Sequence, residues 1–148
     1  GTCGGVVPPV GERARNDTAL LVDVDAALER VAAHIDRVEL RAGLQSGMAA
    51  AAAVNAYLNA TEPWKAARDD PERARVILGT ALSAVNGIRV CLSPYLPFSN
   101  AALDEILGPA EGWCRIEVEP GRSIERPSPL FAKVDPTTLG GLVDNEPG

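Results

Sequence analysis

The stretch NAYLNATEPWK, residues 55–65, organises the chain, because one long helical pattern runs into it and another leaves soon after it. It contains Trp64, one of only two tryptophans in the sequence. A tryptophan that follows a proline at a helix junction is held in a restrained orientation. Near the surface, such an indole can stack on a planar ligand. The alternative is that Trp64 closes the end of a helical bundle as a packing residue.

Two helices are predicted before this stretch. The first has an N-cap at residues 16–18, and its apolar residues are spaced alternately three and four apart, which places them on one face. These residues are Leu21, Val24, Leu28, Val31, Ile35 and Val38. For the second helix we expect a face formed by Leu40, Leu44, Met48, Ala51, Asn55 and Leu58. Gly43 and Gly47, four residues apart, predict a groove in which another helix packs closely.

Two further helices are predicted after it. Thr61 is the expected cap of a short turn containing Pro63 and Trp64. Asp70 and Pro71 form a clear start signal for a third helix, over about residues 71–92, whose apolar residues surround its axis and therefore predict a central, buried position. Cys91 is expected in its core. A fourth helix, capped at residue 99 or 100, ends at residues 108–109.

The remaining chain predicts extended structure. Residues 113–118 alternate loosely between apolar and charged types, and residues 130–134 form a second short extended run. We therefore expect an all-α helical bundle with an extended C-terminal segment that lies on it. The predicted division is an entry segment at residues 1–15, the bundle at residues 16–108, and the extended segment with a frayed tail at residues 109–148.

Composition restricts the function. The 148 residues suffice for one domain with a core. A composition of 46% hydrophobic but only 4% aromatic residues favours a core of closely packed helices. A net charge of -6 disfavours broad, non-specific nucleic-acid binding but is compatible with a small local site. We find no apolar run typical of a membrane span and no metal-ligand spacing. One histidine and three dispersed cysteines provide no catalytic constellation, so we expect no catalytic and no metal-binding residues in this chain.

A series of short motifs resembles the C-terminal anticodon-binding domain of methionyl-tRNA synthetases, and the resemblance covers nearly the whole chain. The motifs are Asn55-x-Tyr57, Pro63-Trp64, Glu72-Arg73, Leu96-Pro97, Leu107-Gly108 and the stretch PSPLFAKV at residues 127–134. The class I synthetases for isoleucine, leucine and valine share a helical-bundle domain and are an alternative. A non-enzymatic interaction domain derived from the same bundle is another.

The resemblance implies a module that reads the CAU anticodon of methionine tRNA. It assigns base stacking to Trp64 with Pro63, and a supporting or contacting role to Asn55 and Tyr57. Lys65 and Arg68, beside Trp64, are candidate contacts to the RNA backbone. Adenylation, with ATP, magnesium and methionine, would belong to an upstream catalytic domain of a cytoplasmic ligase.

Overall fold

The chain forms a bundle of helices in the computed structural model, which describes residues 6–9 and 11–124. The helices are α1 (Arg15–Asp36), α2 (Leu40–Thr61), α3 (Pro63–Asp69), α4 (Pro71–Leu92) and α5 (Pro97–Leu107). Outside them, the described residues contain one isolated antiparallel bridge, between Val6 and Ser123. The predicted all-α bundle is therefore confirmed. The extended run predicted at residues 130–134 lies outside the described residues.

Helix α1 buries the face that its sequence predicts. Residues from Leu21 to Val31 on this face are buried, and Ile35 is partly buried. Val38 is exposed, because α1 ends at Asp36 and Val38 follows in a left-handed backbone conformation with φ 60°. The helix begins at Arg15 and not after a cap at residues 16–18.

Helix α2 does not bury the face that its sequence predicts. Leu40, Met48 and Asn55 are exposed. The buried residues are Gly43, Gly47, Ala50, Val54 and Tyr57. The prediction assumed that the largest apolar side chains face the core. The inner face of α2 instead consists largely of small residues, because the neighbouring parts of the bundle lie very close to it.

The glycines of α2 show how close these partners are. A Cβ placed on Gly47 would lie 2.7 Å from Leu92 Cδ2, at the end of α4. A Cβ placed on Gly43 would collide with the Tyr95 hydroxyl, which donates a hydrogen bond to the Leu40 carbonyl oxygen at 2.9 Å. The predicted close-packing groove is thereby confirmed.

Helix α4 is the central element and has the predicted limits. The Asp70 carboxylate caps it by accepting a hydrogen bond from the Arg73 backbone N–H at 3.0 Å. The helix packs against α1, α2, α3 and α5, and Cys91 is buried in the core as expected. By length and composition α4 could cross a membrane, but 72% of its most apolar window is buried inside the bundle, as in the core helix of a globular domain.

Helix α5 begins earlier than predicted. Pro97 occupies its first turn, where the missing N–H of proline costs no hydrogen bond, so this proline starts α5 and does not only end the preceding helix. The helix ends before Gly108, which has φ 90°.

The chain after α5 lies extended on the bundle. Val118 joins Val7 and Leu107 in a second, smaller apolar cluster. The Arg115 guanidinium donates two hydrogen bonds, both of 2.9 Å, to the Asp25 carboxylate on α1. This extended segment is the one predicted over residues 113–118, while the division of the chain at residues 15 and 108 stays a prediction.

Candidate nucleic-acid interface

Trp64 stands at a sharp junction between two helices. Glu62 ends α2 in a left-handed conformation with φ 42° and ψ 61°, and Pro63 starts α3 directly after it. A non-glycine residue rarely adopts this conformation, which costs roughly 1–2 kcal/mol. Thr61, the expected cap of this turn, is instead the last residue of α2, and its hydroxyl donates to the Tyr57 carbonyl oxygen at 2.7 Å. The turn therefore depends on tertiary support.

The Trp64 indole is exposed where its neighbour is buried. Pro63 is buried against the bundle, whereas 53% of Trp64 is accessible to solvent. The second tryptophan, Trp113, differs because its indole N–H donates to the Leu28 carbonyl oxygen at 2.9 Å. Trp64 has no such acceptor within the described part of the chain. Its indole is an aromatic surface that remains available to a ligand.

The basic residues beside Trp64 form a mixed patch. Lys65 Nζ lies 2.8 Å from Glu62 Oε1, and both side chains are largely exposed. Arg68 is exposed on the same short helix. Exposed ion pairs of this kind contribute about 0–1 kcal/mol, so Lys65 can exchange its partner for a phosphate at little cost.

Asn55 and Tyr57, two positions apart on α2, have different environments. Asn55 is exposed, which corrects the expectation that it lies on a buried face. Tyr57 is buried, with 8% of its surface accessible, and its hydroxyl donates to Asp17 Oδ1 at 2.7 Å. The Tyr57 ring is thus enclosed, while the Asn55 amide is available at the surface.

The Tyr57 hydroxyl belongs to a buried polar cluster that we call the Asp17 cluster, formed by Asp17, Tyr57 and Arg73. The Arg73 guanidinium binds both oxygens of the fully buried Asp17 carboxylate, with 2.8 Å between Nη2 and Oδ1. The Ala14 backbone N–H donates to Asp17 Oδ2 at 2.8 Å. Each oxygen of this carboxylate thereby accepts two hydrogen bonds, as a buried charge requires.

The hydrogen bonds within the Asp17 cluster determine the ionisation states of its three side chains. Burial opposes the charge on Asp17, but the hydrogen bonds from Arg73, Tyr57 and Ala14 outweigh it and hold the pKa of Asp17 below its usual value. Burial and the adjacent carboxylate raise the pKa of Tyr57. The hydrogen bond to Asp17 raises the pKa of Arg73. At neutral pH the cluster is a buried ion pair with a neutral phenol.

Nothing in the described residues suggests catalysis. They contain no group of three or more histidine, cysteine or acidic side chains arranged to hold a metal ion. The single histidine, His34, lies 2.6 Å from the Glu39 carboxylate in the turn after α1. Cys91 is buried, and burial raises the pKa of its thiol to about 11, so it is not a reactive nucleophile.

Solved structures with this fold define the class. The chain superposes on methionyl-tRNA synthetase of Mycobacterium tuberculosis in its apo form with a TM-score of 0.79, at 27% identity over 89% of this chain and 28% of that one. For the same enzyme in complex with methionyl-adenylate the TM-score is 0.81, at 26% identity and the same coverage. The bundle therefore has the fold of a domain of aminoacyl-tRNA synthetases.

Sequence comparison gives the family. The chain is 35% identical to the methionine–tRNA ligase of Roseiflexus castenholzii, over 88% of this chain and 27% of that protein. It is 32% identical to the enzyme of Corynebacterium jeikeium, over 89% of this chain and 29% of that protein. The model of the anticodon binding domain of methionyl tRNA ligase matches residues 7–141, and the chain belongs to this family. It thus spans under a third of the length of these relatives.

The family resemblance inferred from the short motifs is confirmed, whereas the individual site residues are not tested by these comparisons. Two residues of the Asp17 cluster had no assigned role in the sequence. The sequence predicts Asp17 as part of a helix cap, and it places Arg73 in the Glu72-Arg73 motif and among the basic residues that follow Trp64. They lie 56 positions apart, and no spacing rule connects them.

Proposed function

We propose that this chain binds the anticodon loop of methionine tRNA, with the CAU sequence, by stacking one base on Trp64. The observation that carries the proposal is the exposed indole directly after the buried Pro63. Protein readers of RNA sequence usually target unstacked loop bases, and stacking one base on an aromatic side chain contributes about 1–3 kcal/mol. An exposed indole next to a buried proline fits this task.

The neighbouring residues receive distinct roles in this proposal. The exposed Asn55 amide can donate to and accept from a base edge. Tyr57 supports the site from within the bundle, since its enclosed ring leaves little surface for direct contact with a base. Lys65 and Arg68 contact the RNA backbone. The net charge of -6 limits these contacts to a few, and the remaining affinity for tRNA then comes from other parts of a longer enzyme.

In that longer enzyme, a methionine–tRNA ligase, an upstream catalytic domain binds ATP, magnesium and methionine and attaches methionine to the tRNA. We place this enzyme in the cytoplasm, without a membrane partner. The family match and the names of the relatives favour methionine over the other class I synthetases.

The test is binding of the 148-residue chain to an anticodon stem-loop with the sequence CAU, compared with a stem-loop in which the anticodon is changed. Trp64→Ala is expected to weaken binding of the CAU stem-loop at least 10-fold, about 1.4 kcal/mol, with little effect on the altered stem-loop. Trp113→Phe is the matched control, since it changes the other tryptophan. It should leave both affinities unchanged.

Lys65→Ala separates backbone contacts from base contacts. It should weaken both stem-loops similarly and reduce the salt dependence of binding by the equivalent of about one phosphate contact. Equal binding of both stem-loops by the folded wild-type chain would instead favour the non-enzymatic interaction domain. Unchanged binding by a stable Trp64→Ala variant would make Trp64 a packing residue and contradict the stacking role.

A further inference from the structure

The Asp17 cluster joins side chains from α1, α2 and α4, and α2 and α4 are the helices directly before and after α3, which carries Trp64. Asp17 lies in the first turn of α1, and Arg73 lies in the first turn of α4. Tyr57 lies on α2, four residues before its last residue. The cluster therefore connects α2, which leads into Trp64, with α4, which follows the short helix α3.

Helix α3, which carries Trp64, depends on those two neighbours for its position. It has seven residues, and an isolated helix of this length is not stable in water. Single irregular residues join it to its neighbours, Glu62 on one side and Asp70 on the other. Any change in the distance or angle between the end of α2 and the start of α4 is thus transmitted directly to α3.

We infer that Tyr57, Asp17 and Arg73 are positioning residues that hold the Trp64 indole in a fixed orientation for stacking. This inference rests on the proposed function for its consequence in RNA binding, but the orientation of Trp64 can be measured without RNA. Bidentate pairing of a guanidinium with a carboxylate restricts both distance and angle, and the Tyr57 hydroxyl adds a third fixed direction. A preorganised platform binds more tightly, since less order has to be created on binding.

A purely structural role for the cluster would have different consequences. In that case its loss would lower stability in the same way as any other core defect, and Trp64 would behave normally in the molecules that remain folded. The test must therefore compare variants of matched stability under conditions in which all of them are folded.

The experiment uses the 148-residue chain with Trp113→Phe, so that Trp64 is the only tryptophan. Tyr57→Phe removes the hydroxyl and keeps the ring. Val31→Ala is the matched control, since it makes a defect in the same core 14 residues further along α1, about 21 Å from Asp17. Collisional quenching and fluorescence anisotropy of Trp64 are measured at low temperature, where circular dichroism verifies that each variant is folded.

Tyr57→Phe is expected to lower the anisotropy of Trp64, to change its quenching constant and to weaken binding of the CAU stem-loop about 3- to 10-fold. Val31→Ala should change none of these. If the anisotropy and the quenching constant of Trp64 in Tyr57→Phe are the same as in Val31→Ala and in the parent chain, the inference is overturned. That result includes the case of weaker RNA binding with unchanged fluorescence, which would give Tyr57 a direct role.

Failure of the proposed function has a separate signature. If Trp64→Ala binds the CAU stem-loop as the wild type does, the stacking role is lost. The fluorescence of Trp64 in Tyr57→Phe still decides whether the cluster positions the indole, so a change in fluorescence without a change in affinity supports positioning and contradicts stacking.

Discussion

Replacement of Gly87 by alanine tests the packing of α4 against α1. A Cβ on Gly87 would lie 2.5 Å from Val24 Cγ1, whereas carbon atoms pack best at about 3.5–4.0 Å, so a displacement of about 1 Å is needed. Val24 is completely buried, and valine in a helix has one strongly preferred rotamer. The Arg115 side chain lies 3.2 Å from the same Cβ and is bound to Asp25, so neither neighbour can move aside freely.

The expected free-energy change follows from two opposing terms. Overpacking a core by one methyl group costs about 1–3 kcal/mol, and the stiff surroundings of Gly87 favour the upper part of this range. Alanine regains about 1 kcal/mol of helix propensity relative to glycine. We therefore expect Gly87→Ala to lower the free energy of unfolding by about 1–2 kcal/mol, as measured by urea denaturation followed by circular dichroism.

Gly47→Ala is the matched control on α2. It gains the same helix propensity, and its new Cβ meets the end of the longer, partly buried Leu92 side chain, which can rotate. Its stability should stay within about 0.5 kcal/mol of the wild type. In addition, Val24→Ala should make Gly87→Ala less costly, with a coupling of about 1 kcal/mol. A stability of Gly87→Ala equal to or above that of the wild type would refute the close contact between α1 and α4.

Three further predictions follow from burial and charge. Because the pKa of Asp17 is lowered in the folded state, its contribution to stability is fully present above the unfolded value, about pH 4, and is lost as the pH falls from there through the folded value. The stability difference between wild type and Asp17→Asn should therefore stay level down to about pH 4 and shrink below it, by up to about 1.4 kcal/mol per pH unit. A difference that stays constant below about pH 4 would contradict the ionised cluster. Met48→Gln, on the exposed face of α2, should change the free energy of unfolding by less than about 0.5 kcal/mol, whereas a loss of 2 kcal/mol or more would mean that this face is buried. In a Cys3→Ser variant, a thiol reagent should label the exposed Cys114 and spare the buried Cys91 until the chain is unfolded, and rapid labelling of two thiols in the folded chain would exclude the tight core around α4.

The buried face of α1 and the limits of α4 could be predicted because local signals decide them. Asp70 and Pro71 start α4 through a side-chain cap and a preset backbone angle, both of which act within a few residues. The apolar spacing in α1, from Leu21 to Val31, matches the helical repeat and has charged residues on the opposite side. Hydrophobic burial and helix geometry agree in these segments, so the sequence suffices.

The inner face of α2 could not be predicted from hydrophobic spacing. Leu44 and Met48 are larger and more apolar than Gly43 and Gly47, yet the glycines face the core. Leu92 and Tyr95, directly opposite, leave no room on that face for side chains as large as leucine or methionine. A pattern that ranks residues by hydrophobicity contains no information on how near another helix will be.

In the candidate site, too, some features could be predicted from the sequence and others could not. Trp64 and Pro63 were found from the sequence, because a Pro-Trp pair between two helices is a local feature with a recognisable motif. That Tyr57 lies inside the bundle and binds Asp17 depends on where α1 and α4 begin in space. The cluster therefore appears only when segments distant along the chain are packed together.

By itself, then, the sequence determined the helical class, the limits of the central helix and the junction that carries Trp64, because caps, prolines and hydrophobic repeats act over one or two helical turns. Only the tertiary structure decided which face of α2 is buried, which polar groups pair inside the bundle, and that the Trp64 indole is exposed. These properties depend on distances between helices, and such distances result from the simultaneous packing of side chains from the whole bundle.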